Sequence, residues 1–317
     1  MRTRRLGSNG PEISVIGFGA WEAGGGTEWG QAPPEDRIVE AIRAVFDCGI
    51  DWIDTAEVYG KGRSEELVAT AVEGRRDEIR IWTKVAPRRE GSGFRPEQVR
   101  RACTGSLRRL RTDRIDLYQL HWPDESGVPL EDTWGAMVEL ADEGLVGAIG
   151  VSNFDRSMIE RCEAIRHVDS LQQEFSMLAL DDRDLIRWCG EQGIGVLSYG
   201  PLAYGLLTGA ITAETRFDHG DFRGGGDDDG DRLFGPEKLE GSLAVVEALR
   251  PIAERLGISV PQLALAWNVH QPGVTAAIAG SRNPGHVRSN AEAGSVELDD
   301  GTLLELESIL PLGPAFA

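Results

Sequence analysis

Short runs of apolar, often β-branched residues alternate along this chain with longer stretches in which apolar positions recur every three or four residues. The first pattern suits strands covered on both faces and the second suits amphipathic helices. Their regular alternation is the signature of parallel strands joined by crossover helices. Strands are predicted at residues 15–19, 52–54, 79–84, 115–121, 146–152, 170–174, 195–198 and 275–279. Helices are predicted at 37–48, 64–72, 96–110, 130–143, 155–166 and 185–192, then at 239–256 and 260–269 with a break near Gly257 and Pro261. Pro96 suits a first helical turn, and Ser64 ahead of Glu65 and Glu66 places negative charge where a helix dipole favours it. Eight strand–helix repeats predict an α/β fold, a (β/α)8 TIM barrel of about 250 residues with additions at both ends. One addition is an N-terminal β-hairpin, residues 4–6 and 12–14 around an Asn9-Gly10 turn, closing the bottom of the barrel. The other is an extra C-terminal helix at 302–310, after the last barrel helix at 284–293. A single domain over 1–317 is expected.

Residues 201–235 hold the longest stretch without periodicity, and it is read as a mobile surface loop. Its acidic run, Gly224 to Asp231, lacks the ligand order and closing Glu of a twelve-residue calcium loop, so no metal site is expected. The net charge of −19 argues against a binder of phosphate backbones. Cys48, Cys103, Cys162 and Cys189 lie far apart and form no C-x-x-C pair, which predicts reduced, mostly buried thiols. The basic start, Met1 to Arg5, leads into Gly7-Ser8-Asn9-Gly10-Pro11 rather than an apolar segment, so no secretory signal is expected. No stretch approaches 18 uninterrupted apolar residues. These features suit a cytoplasmic enzyme acting on small molecules, with neither nucleic acid nor membrane as partner; the oligomeric state stays open.

Active sites of such barrels collect at the carboxyl ends of the strands. Asp54 closes the second predicted strand, Lys84 the third and His121 the fourth. A lysine at the inner end of a barrel strand needs a carboxylate to stay charged, and Asp54 stands one strand away. Tyr59 follows Asp54 closely. A free phenol titrates near 10 and a neighbouring cation favours phenolate, so a Tyr beside a Lys is a usable proton donor near neutral pH. His121 would hydrogen-bond a carbonyl oxygen and hold it near Tyr59. Trp21 and Trp122 follow two strand ends and would wall a substrate pocket with Tyr59 and His121, with Trp29 and Tyr204 as loop contributors.

The segment D-T-A-x-x-Y-G-x-G-x-S-E at 54–65, together with Lys84 and L-H-W at 120–122, resembles the aldo-keto reductase superfamily, and the likeness covers nearly the whole chain. The resemblance implies a (β/α)8 barrel that binds NADPH/NADP+ without a Rossmann fold. It implies hydride transfer to an aldehyde or ketone and a Tyr59–Lys84–Asp54–His121 tetrad. Gly19, Ala20 and Trp21 resemble the segment passing near the nicotinamide and substrate. Ser152, Asn153 and Gln172 resemble the residues that hydrogen-bond the carboxamide, and Tyr199 the ring that stacks on the nicotinamide. Gly200, Pro201, Leu202 and Gly205 open the segment that resembles a cover over the pyrophosphate. Gly280, Ser281 and Arg282 precede a helix start and resemble the 2′-phosphate site, which favours NADPH over NADH. His286 stands where Gln or Arg is usual and Ser289 where Glu is frequent near Asn290, which alters the adenine-end contacts. The superfamily also contains regulatory subunits resembling potassium-channel β subunits, so slow redox sensing is the second reading. An unrelated barrel chemistry such as isomerisation is a third.

Overall fold

Eight parallel strands close into a barrel in a computed structural model of the chain, which describes residues 1–25, 29–87, 94–224 and 233–310. The barrel strands are β3 (Ile16–Gly19), β4 (Trp52–Asp54), β5 (Arg80–Val85), β6 (Ile115–Leu120), β7 (Val146–Ser152), β8 (Ser170–Glu174), β9 (Gly195–Tyr199) and β10 (Val274–Gly280). Each pairs with its neighbour in sequence, and β10 returns to pair with β3 in the register Gly280↔Gly19. The predicted strands are thus all present, with ends shifted by at most a residue or so.

Two further strands, β1 (Thr3–Arg5) and β2 (Glu12–Ser14), form the expected antiparallel hairpin. It carries Leu6 and Ile13 into the barrel's interior, where they pack with Trp52, Trp82, Leu117, Leu197, Ala276 and Ile278. The Trp52 and Trp82 rings stack 4.0 Å apart. Gly17 is required by this filling, because a Cβ there would lie 2.1 Å from the Trp52 ring. Arg4 ties the hairpin to the amino-terminal end of β10 by donating to Val274 O at 2.8 Å. The bottom of the barrel is therefore plugged by apolar side chains.

Helices α1 (Glu35–Arg43), α2 (Val45–Cys48), α3 (Arg63–Ala71), α4 (Pro96–Leu110), α5 (Leu130–Asp142), α6 (Arg156–Glu163) and α7 (Arg183–Glu191) cover the first strands. They are followed by α8 (Pro236–Leu256), α9 (Val260–His270), α10 (Pro284–Ala293) and the extra α11 (Asp300–Ile309). Their apolar faces and the outer faces of the strands share the main core. Pro261 sits in the first turn of α9, whose Ser259 and Gln262 form a capping box.

Three expectations change. The predicted helix at 37–48 is two helices meeting at Ala44. Helix α3 begins at Arg63, one residue earlier than expected, behind a left-handed Gly62. The Ser64 hydroxyl lies 2.8 Å from Thr55 Oγ1 and donates to Ala20 O at 2.6 Å, joining the ends of two strands. The stretch 201–235 contains short 3-10 turns at Ala203–Thr208 and Phe222–Gly224, while the acidic run read as loop falls almost wholly outside the described residues. Cys103, Cys162 and Cys189 are buried and Cys48 is half-buried, and all four are free. No helix among the described residues is long and apolar enough to cross a membrane.

Candidate active site

The carboxyl ends of β4, β5 and β6 bring Asp54, Lys84 and His121 together, and a 3-10 turn at Tyr59–Gly62 adds Tyr59. The Lys84 side chain has no solvent exposure. Its ammonium donates to Asp54 Oδ1 at 2.5 Å, Thr55 O at 3.0 Å and Tyr59 OH at 3.3 Å. An ammonium has three protons, and all three are committed. Asp54 Oδ2 accepts from Gln172 Nε2 at 3.0 Å, so both carboxylate oxygens are held as well. Burial pushes the Asp54 carboxyl up and the Lys84 ammonium down, and the attraction between the two opposes both shifts.

The Tyr59 hydroxyl also lies 3.5 Å from His121 Nε2. Burial, and then the Lys84 charge, holds the His121 imidazole well below its ordinary value of 6.5, so the ring is neutral at pH 7. Trp122 stacks on it, centroids 3.7 Å apart at 11°, while keeping 41% of its own surface exposed.

The turn carrying Tyr59 is fixed from two sides. Gly60, at φ 56°, packs so closely on Gly24 that a Cβ would stand 1.7 Å from its carbonyl oxygen. On the other side Glu65 is fully buried in α3, accepting from Thr83 Oγ1 at 2.7 Å and from Arg109 Nε at 2.5 Å. Glu65 keeps its expected place in the first turn of α3 and is buried there in an ion pair, because that turn faces β5 and α4 rather than solvent.

Aromatic rings build the mouth above Tyr59. Trp21 stacks on Tyr59 (6.1 Å, 26°) and on Phe222 (5.7 Å, 21°). Trp29 meets Trp21 edge-on at 5.0 Å, and Tyr204 does so at 6.2 Å. Phe222 escaped the sequence reading, since nothing in its aperiodic segment marked it.

The residues expected to hold a cofactor form two groups. Ser152 and Asn153 end β7, and Asn153 adopts a left-handed φ of 61°. Its amide donates to His121 O at 3.0 Å and Ser152 Oγ at 3.1 Å, while its Oδ1 accepts from Tyr199 OH at 2.8 Å. Beyond Tyr199 come Gly200, Pro201, Leu202 and Gly205, with Ala203 and Tyr204 also left-handed at φ 46° and 54°. Such conformations cost about 1–3 kcal/mol each and collect where a ligand is clamped.

The second group lies between β10 and α10. Ser281 Oγ accepts from Asn283 N at 3.1 Å and stands 3.4 Å from His286 Nδ1. Asn283 caps α10 by accepting from Gly285 N, and Asn290 is buried further along that helix. Arg282 donates to Trp29 O at 2.8 Å and Gln31 O at 3.3 Å, with Glu22 3.9 Å away. Sequence reasoning did not reveal these carbonyl partners. A groove lined by Arg76, Arg108, Arg111 and Arg114 together with Asp77 and Asp113 flanks the amino-terminal ends of β5 and β6, away from this site.

A barrel with a buried lysine–carboxylate pair beneath a tyrosine at its mouth defines the class. The aldo/keto reductase family model matches residues 15–311. The aldo-keto reductase YhdN of Bacillus subtilis is 36% identical over 100% of this chain and 97% of its own length. The NADH-specific methylglyoxal reductase of Escherichia coli is 31% identical over 95% of each. Among solved structures, the glycerol dehydrogenase of Gluconobacter oxydans superposes with TM-score 0.85 at 31% identity, covering 99% of this chain and 98% of that one. An aldo-keto reductase of Klebsiella pneumoniae in complex with NADPH gives 0.75 at 30% identity, covering 100% and 98%. The chain belongs to the aldo/keto reductase family, a family of oxidoreductases acting on carbonyl and alcohol groups.

Proposed function

We propose that the protein is an NADPH-dependent reductase of a small aldehyde or ketone, with Tyr59 as the proton donor. The observation that carries the reading is the saturated Lys84 ammonium. Because all three of its protons are donated, the Tyr59 oxygen is always an acceptor toward Lys84, and the phenolic proton must point elsewhere. The open direction is the mouth, beside the neutral His121. There Tyr59 gives its proton to the carbonyl oxygen as the alcohol forms, and Lys84 stabilises the phenolate left behind. His121 Nε2, in its protonated tautomer, is the second donor that orients the carbonyl.

The residues present fit a nicotinamide dinucleotide. Ser152, Asn153 and Gln172 offer the hydroxyl and amide groups that match a neutral carboxamide, and Tyr199 offers a flat ring beside them. The segment from Gly200 to Gly205 contributes strained backbone where a pyrophosphate would lie. At the far end Gly280, Ser281, Arg282 and the capped start of α10, with His286 and Asn290 behind, provide positive potential in a chain of net charge −19. Gly19, Ala20 and Trp21 close the near side. When bound, the cofactor supplies the hydride to the carbonyl carbon.

Arg282 supports NADPH, and the Klebsiella relative is solved with it, whereas the Escherichia coli relative is named for NADH. The relatives named for methylglyoxal and glycerol handle small molecules with oxygen on adjacent carbons, which supports a small oxygenated substrate. The test is Tyr59→Phe. Reduction of a reactive aldehyde should fall by about 10²–10⁴ in kcat with NADPH binding retained. Turnover within tenfold of the parent protein would remove Tyr59 from the proposed role.

A further inference from the structure

At the mouth of the barrel a shielded indole N–H, that of Trp29, has no hydrogen-bond partner among the described residues. Three of the buried tryptophans behave differently: Trp52 donates to Ser14 O at 2.9 Å, Trp134 to Arg166 O at 3.1 Å and Trp267 to Glu307 Oε1 at 3.1 Å. A buried donor with nothing to bind destabilises the folded state, so its retention points to an acceptor that arrives with a ligand.

The indole is nonetheless held firmly. Trp21 and Phe222 meet its ring edge-on at 5.0 and 5.1 Å, and the Arg223 guanidinium lies 5.1 Å above it. Its backbone is held too. Arg282, from the far side of the cofactor groups, donates to the carbonyls of Trp29 and Gln31. The Gln31 amide donates to Asp218 Oδ2 at 3.3 Å. Trp21 in turn stacks on Tyr59, so the unpartnered N–H belongs to the wall of the mouth where the carbonyl is reduced.

We propose that Trp29 is a specificity-determining residue whose indole N–H donates to a second oxygen of the carbonyl substrate, and that Arg282 is the positioning residue that fixes it. The substrate class is then a carbonyl compound with a hydroxyl or second carbonyl on the neighbouring carbon. This rests on the reductase reading above. A site built around a hydrogen bond discriminates against the analogue that lacks the acceptor, because the protein's own donor is then left buried and unpaired. The guanidinium spans two carbonyls with separate nitrogens, which a lysine at this position would not do.

The test compares glycolaldehyde with propanal, which differ by a hydroxyl in place of a methyl, using NADH, which has no 2′-phosphate for Arg282 to recognise. Trp29→Phe should lower the glycolaldehyde-to-propanal ratio of kcat/KM by roughly three- to tenfold, the range of one neutral hydrogen bond. Arg282→Ala should lower the same ratio with NADH. In the unliganded protein it should also speed hydrogen exchange at the Gln31 amide by about tenfold or more, as the segment loosens. A Trp29→Phe ratio within twofold of the parent overturns the donor role. An Arg282→Ala protein that loses only NADPH affinity, with ratio and exchange unmoved, overturns the positioning role. If the parent protein reduces neither aldehyde with either cofactor, the reductase reading falls and the Trp29 donor with it, while the exchange measurement still decides Arg282.

Discussion

Replacing Arg109 with methionine should destabilise the protein far more than a surface change, because it strands a buried charge. Glu65 has no exposure, and its two oxygens are held by Thr83 Oγ1 at 2.7 Å and Arg109 Nε at 2.5 Å. The arginine keeps 22% of its side chain exposed, so its own desolvation is partial, whereas that of Glu65 is complete. Removing one partner of such a pair costs about 3–5 kcal/mol. A chain of 317 residues unfolds with an entropy of about 0.7 kcal/mol/K near 60 °C. The loss therefore corresponds to a Tm lower by about 4–8 °C. Calorimetry or urea titration of Arg109→Met reads this directly. The double variant Glu65→Gln with Arg109→Met should recover part of the loss, with a coupling of about 0.5–3 kcal/mol. The Arg109 stem also packs on Gly62, where a Cβ would stand 2.5 Å from its Cδ, so loosening should reach the turn that carries Tyr59. A Tm within 1 °C of the parent, or strictly additive single losses, would refute the reasoning.

Two other outcomes follow from burial. His121 has a folded-state pKa far below 6.5, so its contribution to stability is full above that pH and is lost as the pH falls below it, at up to about 1.4 kcal/mol per pH unit. Between pH 7 and pH 5 the urea midpoint should therefore drop more in the parent than in His121→Asn; parallel curves would count against the assignment. Burial pushes the Cys103, Cys162 and Cys189 thiols up to about 12, and the half-buried Cys48 thiol is raised as well. Iodoacetamide at pH 8 should label no more than Cys48 in the native protein and all four thiols in denaturant, as mass spectrometry would show. Labelling of two or more in the native state would contradict this.

The barrel was readable because strands buried on both faces carry a nearly uninterrupted apolar signal. Asp54, Lys84 and His121 interrupt that signal at the strand ends where chemistry is expected. Tyr59 lies in a turn with no periodicity, and only the motif around it pointed to a role. What stayed hidden depends on which face of an element meets another part of the chain. Glu65 looks like an ordinary first-turn carboxylate until Arg109, 44 positions away, is brought against it. Ser64 marks only a helix start in the sequence, and its bonds to Thr55 and Ala20 depend on which strand ends meet there. Gln172 was expected as a ligand for a carboxamide, yet its amide also holds Asp54, an engagement set by barrel closure. Arg282 was legible as a cation near a helix start. Its grip on the carbonyls of Trp29 and Gln31 spans about 250 residues and leaves no local trace in the sequence.

The hairpin plug at the bottom of the barrel has a consequence for traffic. With Leu6 and Ile13 filling the lower end beside the stacked Trp52 and Trp82, the barrel is closed at its bottom among the described residues. A ligand that reaches Tyr59 would then enter and leave by the mouth. Of two ligands held in such a mouth, the deeper would come in first and go out last, an order that a segment at the opposite end of the barrel would help to set.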